Sequence, residues 1–277
     1  MPYMSSAFRR ATGKRRTYKK KTYKRKSYAS KKRSPLKKMI RREIARNVEN
    51  KTSQYYQYDV RLYPAGNVSF PTDNIFPVGV DPTSLVIPPG TAQGNRIGNT
   101  IKTKKLVFRG TIVPRAYDST FNPAPQPVQL KMYIFYDKTT PTAVPNPQAA
   151  NDFFQNGNSS KGFQNDLVDM WSPVNTDRYR ILATKTFKIG FAANDGSGSS
   201  VINGFFANND FKYNANFSFD LTKHYPQMVK FNDGSTVPTT RGLFCMCQYV
   251  AASGQAIPTT WYMLALQYML DFQYEDA

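Results

Sequence analysis

The sequence predicts an all-β domain over residues 51–277 behind a basic arm over residues 1–50, and three observations carry that reading. From about residue 52 the chain becomes aromatic, β-branched and punctuated by Pro and Gly. Apolar residues alternate with polar ones at a period of two, and no convincing helix longer than two or three turns remains in that stretch. With 277 residues and 40% apolar content, the chain is long enough to bury a sizeable core.

The arm is defined by charge. Residues 1–50 hold 19 Lys and Arg against only Glu43 and Glu49, a net of +17, whereas residues 51–277 carry a net of only +3. An unpaired block of like charge buries too little apolar surface to offset chain entropy, so residues 1–33 are expected to be extended or disordered. Within them a five-residue unit recurs as Thr17-Tyr18-Lys19-Lys20-Lys21, Thr22-Tyr23-Lys24-Arg25-Lys26 and Ser27-Tyr28-Ala29-Ser30-Lys31. A period of five suits neither helix nor strand. It suits a segment that follows a single strand of nucleic acid, with cations on phosphates and Tyr18, Tyr23 and Tyr28 stacked on bases.

The candidate nucleic-acid contacts are therefore Arg9, Arg10, Lys14, Arg15, Arg16, Tyr18, Lys19, Lys20, Lys21, Tyr23, Lys24, Arg25, Lys26, Tyr28, Lys31, Lys32 and Arg33, continued by Lys37, Lys38, Arg41 and Arg42. The stretch Lys14, Arg15, Arg16, Lys19, Lys20, Lys21, Lys24, Arg25 and Lys26 also reads as a nuclear localisation signal, which would engage host nuclear import machinery. Residues 14–33 contain no Trp, Phe or Leu to anchor in a bilayer, so a polyanion is the expected partner and a membrane is not.

A short amphipathic helix is expected over 34–49. Ser34 stands as its N-cap and Pro35 as its first residue, and Leu36, Ile40, Ile44 and Val48 recur every four positions. Its other faces carry Lys37, Lys38, Arg41, Arg42 and Arg46.

Strands are expected near 54–63, 102–113, 128–137, 178–190, 211–221, 243–252 and 260–273, with a short one around 67–70 or 76–80 completing eight. In the second of these, positions 106, 108, 110 and 112 form the buried face. In 211–219 the odd positions are apolar. The last strand is apolar on both faces for most of its length, which places it centrally in a sheet or against another subunit. A buried helix is its alternative, disfavoured by the aromatic content and the trailing alternation of Leu270, Phe272 and Tyr274. The segments 64–101, 114–127, 138–177, 191–210 and 231–241 are too rich in Pro, Asn and Gly to be expected in a core, and are assigned to the outer surface and to subunit contacts.

Little catalytic chemistry is legible, and neither a cofactor nor a metal is expected. His224 is the only histidine, and Cys245 and Cys247 are the only cysteines. Two apart in a strand, the thiols share a face, an awkward geometry for a mutual disulfide, so they are expected to be buried and reduced. A thiol nucleophile paired with His224 is disfavoured by that burial. Asp195-Gly196-Ser197-Gly198-Ser199-Ser200 lacks the Lys of a phosphate loop. Asp166 and Asp169 show no metal-ligand spacing, which leaves a calcium site at a subunit contact open. No apolar run approaches a membrane span and no leader is evident, so the sequons at Asn67, Asn158 and Asn216 read as chance matches.

The segment Gln93-Gly94-Asn95-Arg96-Ile97-Gly98-Asn99-Thr100-Ile101 reads as a glycine turn, and Arg96 forms a second basic cluster with Lys102, Lys104 and Lys105. The cluster is open to either reading, an ordinary turn before a strand or a contact with nucleic acid. This segment and the basic strand after it, together with the arm-plus-β-body organisation, resemble the capsid proteins of circovirus-like, circular Rep-encoding single-stranded DNA viruses. The resemblance implies a single eight-stranded antiparallel jelly roll, sixty copies in a small icosahedral (T=1) shell, and inward-directed arms that package the genome. It also implies a virion protein that visits the host nucleus during assembly. Lys outnumbers Arg 10 to 8 over positions 1–42, whereas circovirus arms are dominated by Arg. Lysine-rich arms with amphipathic helices also serve the coats of satellite-type single-stranded RNA viruses, which stand as the alternative. A cellular nucleic-acid-binding β-domain protein is a more distant one.

Overall fold

The computed structural model describes residues 39, 50–64, 74–92, 94–139, 152–157, 159–193 and 204–276. The arm and the helix expected over 34–49 lie outside these residues, apart from Met39, which is helical and exposed. Thirteen strands occur among the described residues: β1 (Asn50–Leu62), β2 (Ile75–Pro77), β3 (Thr100–Pro114), β4 (Val128–Asp137), β5 (Phe154–Asn156), β6 (Ser159–Lys161), β7 (Tyr179–Ile189), β8 (Phe191–Ala193), β9 (Gly204–Phe206), β10 (Ala215–Asp220), β11 (Met228–Lys230), β12 (Phe244–Ala251) and β13 (Leu264–Asp276). One short 3₁₀ helix spans Leu167–Met170. No described helix is long and apolar enough to cross a membrane.

Eight of the strands build two antiparallel sheets. The first runs β1-β13-β3-β10, with β11 alongside the start of β3, and the second runs β2-β12-β4-β7. Ranked by chain order, these eight strands give sheets 1-8-3-6 and 2-7-4-5, so that every connection except the one from β4 to β7 passes from one sheet to the other. That order is the jelly roll. β13 lies between β1 and β3, a central strand as its sequence predicts.

The core between the sheets follows from alternation. β13 sends Leu264, Leu266, Tyr268, Leu270, Phe272 and Tyr274 inward, and β3 sends Leu106, Phe108 and Ile112. Gly110 sits between the aromatic rings of its two cross-strand partners, Phe217 and Tyr268. A methyl group there would lie 2.9 Å from each side chain and would run into the carbonyl oxygen of Gln267. Two bulges in the first sheet reset the alternation. Lys104 is skipped in the β3–β13 ladder, so inward positions change from Ile101 and Thr103 to Leu106 and Phe108. On β1 an extra residue between Gln57 and Val60 does the same.

A second core lies on the outer face of the second sheet, and here the structure corrects the sequence reading of 138–177 as non-core. Phe153, Phe154, Phe163 and Met170 from that segment are buried against Tyr133 and Phe135 of β4 and Phe244, Met246 and Val250 of β12. Phe153 packs its ring against Tyr133, Phe154, Phe163 and Tyr179 at centroid distances of 5.1–5.2 Å. A few spaced aromatics are enough to anchor a stretch otherwise rich in polar residues, Pro and Gly. Ion pairs tie the segment down: Arg178 bridges the fully buried Asp137 (3.3 Å) and Asp152, and Tyr179 donates to Asp152 (2.9 Å).

The other loops need a smaller correction. Val78, Val80, Leu85 and Ile87, within 64–101, belong to the main core. β2 at Ile75–Pro77 is the short strand expected around 76–80, while the alternative at 67–70 lies outside the described residues. β5, β6, β8 and β9 occupy stretches read as loop, and β11 lies between two of the expected strands.

Candidate nucleic-acid interface

Every arm residue singled out by sequence, Arg9 through Arg42, lies outside the described residues, so what the structure contributes is the place where the arm joins the sandwich. β1 begins at Asn50, paired with Glu275 at the end of β13, and that end of the sheet also holds the start of β3. Lys51 is buried there, its ammonium donating to Asn95 O (2.7 Å) and pairing with Asp276 (2.7 Å). The first residues after the arm are thus fixed by backbone ladder and by charge.

The outer face of the first sheet near this root is rich in cations, and carboxylates have taken up several of them. Glu275 pairs with both Lys102 (3.3 Å) and Lys104. Desolvation opposes ionisation of Glu275, but the hydrogen bonds and charges of Lys104 and Lys102 outweigh it and hold the carboxyl below the usual range. Asp271 faces Arg109 at 3.7 Å. Lys105, Lys223 and Lys230 remain exposed.

Arg96 does not belong to any surface cluster. It is 1% exposed, donates to Gly98 O, Asn99 Oδ1 (3.2 Å) and Ser235 O (2.5 Å), and lies 4.3 Å from the Phe231 ring centroid. Gly94 and Gly98 take positive φ of 85° and 88°, the left-handed turn that lets the chain wrap this guanidinium. Of the second basic cluster, one member is therefore a core residue and two are held by Glu275. The sequence reading missed Glu275 and Asp276 as the groups that organise this end.

No protein-family model matches the chain, and no curated protein matches it. Among solved structures, the chain is similar to one from a semi-empty virus-like particle of the giant freshwater prawn Macrobrachium rosenbergii nodavirus. Identity is 14%, covering 83% of this chain and 92% of that one, with a TM-score of 0.29. It is also similar to a chain of Desmodium yellow mottle tymovirus at 13% identity, covering 83% and 89%, with a TM-score of 0.25. The fold assignment rests on strand order, not on these values.

The residues with reactive potential are placed structurally. His224 is exposed in the turn after Leu221, its N–H on Leu221 O (2.9 Å) and its carbonyl accepting from Tyr136 Oη. Cys245 and Cys247 share the inward face of β12, both reduced and fully buried. Burial, with the neighbouring Cys247, pushes the Cys245 thiol well up, away from the thiolate a nucleophile needs. Asp166 caps the 3₁₀ helix, and Asp169 accepts from the Gln164 and Asn165 N–H groups (2.7 and 2.9 Å). Among the described residues no three His, Cys, Asp or Glu side chains converge as a metal site. Asn216, one of the sequons, accepts from Thr111 on the β10–β3 ladder (2.6 Å). The other two, and the loop 195–200, lie outside the described residues.

Proposed function

We propose that this chain is the coat protein of a small virus, in which the jelly roll closes a shell with copies of itself and the arm neutralises a packaged single-stranded genome. The observation that carries the reading is the division of charge: an arm of net +17 leads into an edge strand of a jelly roll whose remaining sequence is close to neutral. A neutral sandwich associates with itself without strong repulsion, and a solvated cationic leader binds a polyanion by releasing its counterions. Sixty such arms supply roughly a thousand positive charges, the scale of a genome of about one to a few kilobases. The arm's basic run serves nuclear import as well, and a single-stranded DNA genome of the circovirus-like kind is the favoured cargo.

The full-length chain, expressed and purified, should form small uniform spheres by negative-stain microscopy and protect nucleic acid from nuclease. A species that stays monomeric across salt and concentration refutes the coat reading. Digestion of the released cargo with DNase or RNase decides between the DNA reading and its RNA alternative. Binding of single-stranded oligonucleotide should weaken steeply with salt. Replacing Lys19, Lys20 and Lys21 by Ala should lower the log–log salt slope by about 2, at roughly 0.7 for each phosphate left without its cation.

A further inference from the structure

We propose that the outer face of the first sheet binds an extended single strand of nucleic acid, with Tyr56 and Tyr58 stacked on its bases and Arg109 on its phosphates. This contact rests on the coat reading and adds to those of the arm. The two sheets differ in what covers them. The second has Phe153, Phe154 and Phe163 packed on its outer face. On the first, the ladders set Tyr56, Met269, Arg109 and Ser218 in one row across the outer face, and Tyr56, Arg109 and Ser218 are exposed. The row starts on β1, the strand into which the arm of net +17 feeds directly. A strand held by cations just before Asn50 is tethered to β1 by the chain itself, so a weak contact on this face gains from a high effective concentration.

The chemistry of the face suits bases and phosphates together. Tyr56 is 45% exposed and Tyr58 76%, and among the described residues neither ring packs on another ring. Tyr56 Oη donates to Gln54 Oε1, which steadies the side chain and leaves its face open. Two residues apart on an extended strand, the two side chains leave the sheet about 7 Å apart, twice the ~3.4 Å rise of a stacked strand. Bases already unstacked fit that spacing, and each can lie on a ring whatever its identity. Arg109 stands two strands away, about 10 Å. Its side chain is 47% exposed, and its contact with Asp271, at 3.7 Å, is longer than a hydrogen bond and leaves the guanidinium open to an anion. Four carboxylates border this face and six cations meet them: Asp59 faces Arg115, Asp271 faces Arg109, Asp220 lies near Lys105 and Lys223, and Glu275 pairs with Lys102 and Lys104. The surplus attracts a polyanion and repels a second copy that carries the same surplus.

The test follows binding of a fluorescein-labelled oligothymidine to the full-length protein by anisotropy, from about 50 to 200 mM salt. The double variant Tyr56→Ala, Tyr58→Ala should bind at least about 5-fold more weakly throughout, with the log–log salt slope unchanged, because stacking releases no counterions. The double variant Tyr56→Phe, Tyr58→Phe keeps both ring faces and should bind like wild type. Arg109→Gln should lower the slope by about 0.7, the share of one phosphate. A second measurement needs no variant: a strand carrying 5-iodouracil should cross-link to Tyr56 or Tyr58 of the wild-type chain on irradiation. Failure of the wild type to bind oligothymidine refutes genome packaging itself, and this contact with it. Full affinity in the alanine double variant, or cross-links confined to residues 1–49, overturns the stacking face and leaves the coat reading standing. Loss of shell assembly in that variant with its affinity intact overturns it too, and marks the face as a contact between copies.

Discussion

Replacing Phe153 by Ala tests whether the segment between β4 and β7 is part of the folded body or a loop laid upon it. Phe153 is fully buried against the rings of Tyr133, Phe135, Phe154, Phe163 and Tyr179. Burying a Phe side chain is worth about 1.5–3 kcal/mol by transfer, and the cavity left among neighbours that cannot all collapse raises the cost to about 3–5 kcal/mol. The rings around it belong to β4, β7 and the segment itself, so that cost falls on the second sheet as well as on the insertion. The assay is urea denaturation of the unassembled chain at low concentration, followed by far-UV circular dichroism. With a slope of about 2–3 kcal/mol/M, the midpoint should drop by about 1–2 M at unchanged slope. Trp171→Ala is the control, since Trp171 is 73% exposed and its loss should cost within about 0.5 kcal/mol. A Phe153→Ala midpoint within about 0.3 M of wild type, corresponding to less than about 1 kcal/mol, would refute the reasoning and return the segment to the status of a detachable loop.

Two further outcomes follow from the same geometry. Gly110→Ala should destabilise by about 1–3 kcal/mol, because the added methyl meets the Gln267 carbonyl and two aromatic side chains that are already packed. Strand propensity alone predicts a gain from this change, so an unchanged or raised melting temperature would show that the close approach is not limiting. For Glu275, the folded carboxyl is held below its ordinary value of about 4.3, so its contribution is present above that pH and is lost as pH falls through the folded value. The gap in melting temperature between wild type and Glu275→Gln should therefore be constant from about pH 6 upward and narrow towards pH 3; a gap independent of pH contradicts the assignment.

Seven of the eight sandwich strands are legible in the sequence because aromatic and β-branched runs, alternating at period two in several of them, are a local property, and β4 lies at the expected 128–137. Position 106 and its even neighbours are inward because they lie downstream of the bulge at Lys104. Extending the same parity back to Lys102 and Lys104 would turn lysines into the core. Bulges leave no strong local signature, as they answer to the register of a partner strand far along the chain. β2 is hard to fix for a related reason: three residues supply too few alternations to count.

The second core was within reach of the sequence, and the signal lay in the strands it covers. Met132-Tyr133-Ile134-Phe135-Tyr136 and Phe244-Cys245-Met246-Cys247 are apolar at odd and even positions alike, so each strand needs a cover on both faces. One face is taken by the opposite sheet, and a chain of this length must supply the other cover itself or borrow it from a second copy. Phe153, Phe154 and Phe163 supply it from within, despite a composition that reads as loop. Arg96 shows the converse, since a cation in a glycine turn reads as surface until carbonyls at Gly98 and Ser235, 139 positions apart in the second case, are brought to its guanidinium. On the proposed coat reading, charge located along the chain divides the labour between arm and body. On that same reading, charge located in space decides which cations near the arm's root could meet a polyanion: Lys105, Lys223 and Lys230 are exposed, with Lys105 and Lys223 near Asp220, whereas Arg96 is buried on carbonyls and Lys102 and Lys104 are held by Glu275.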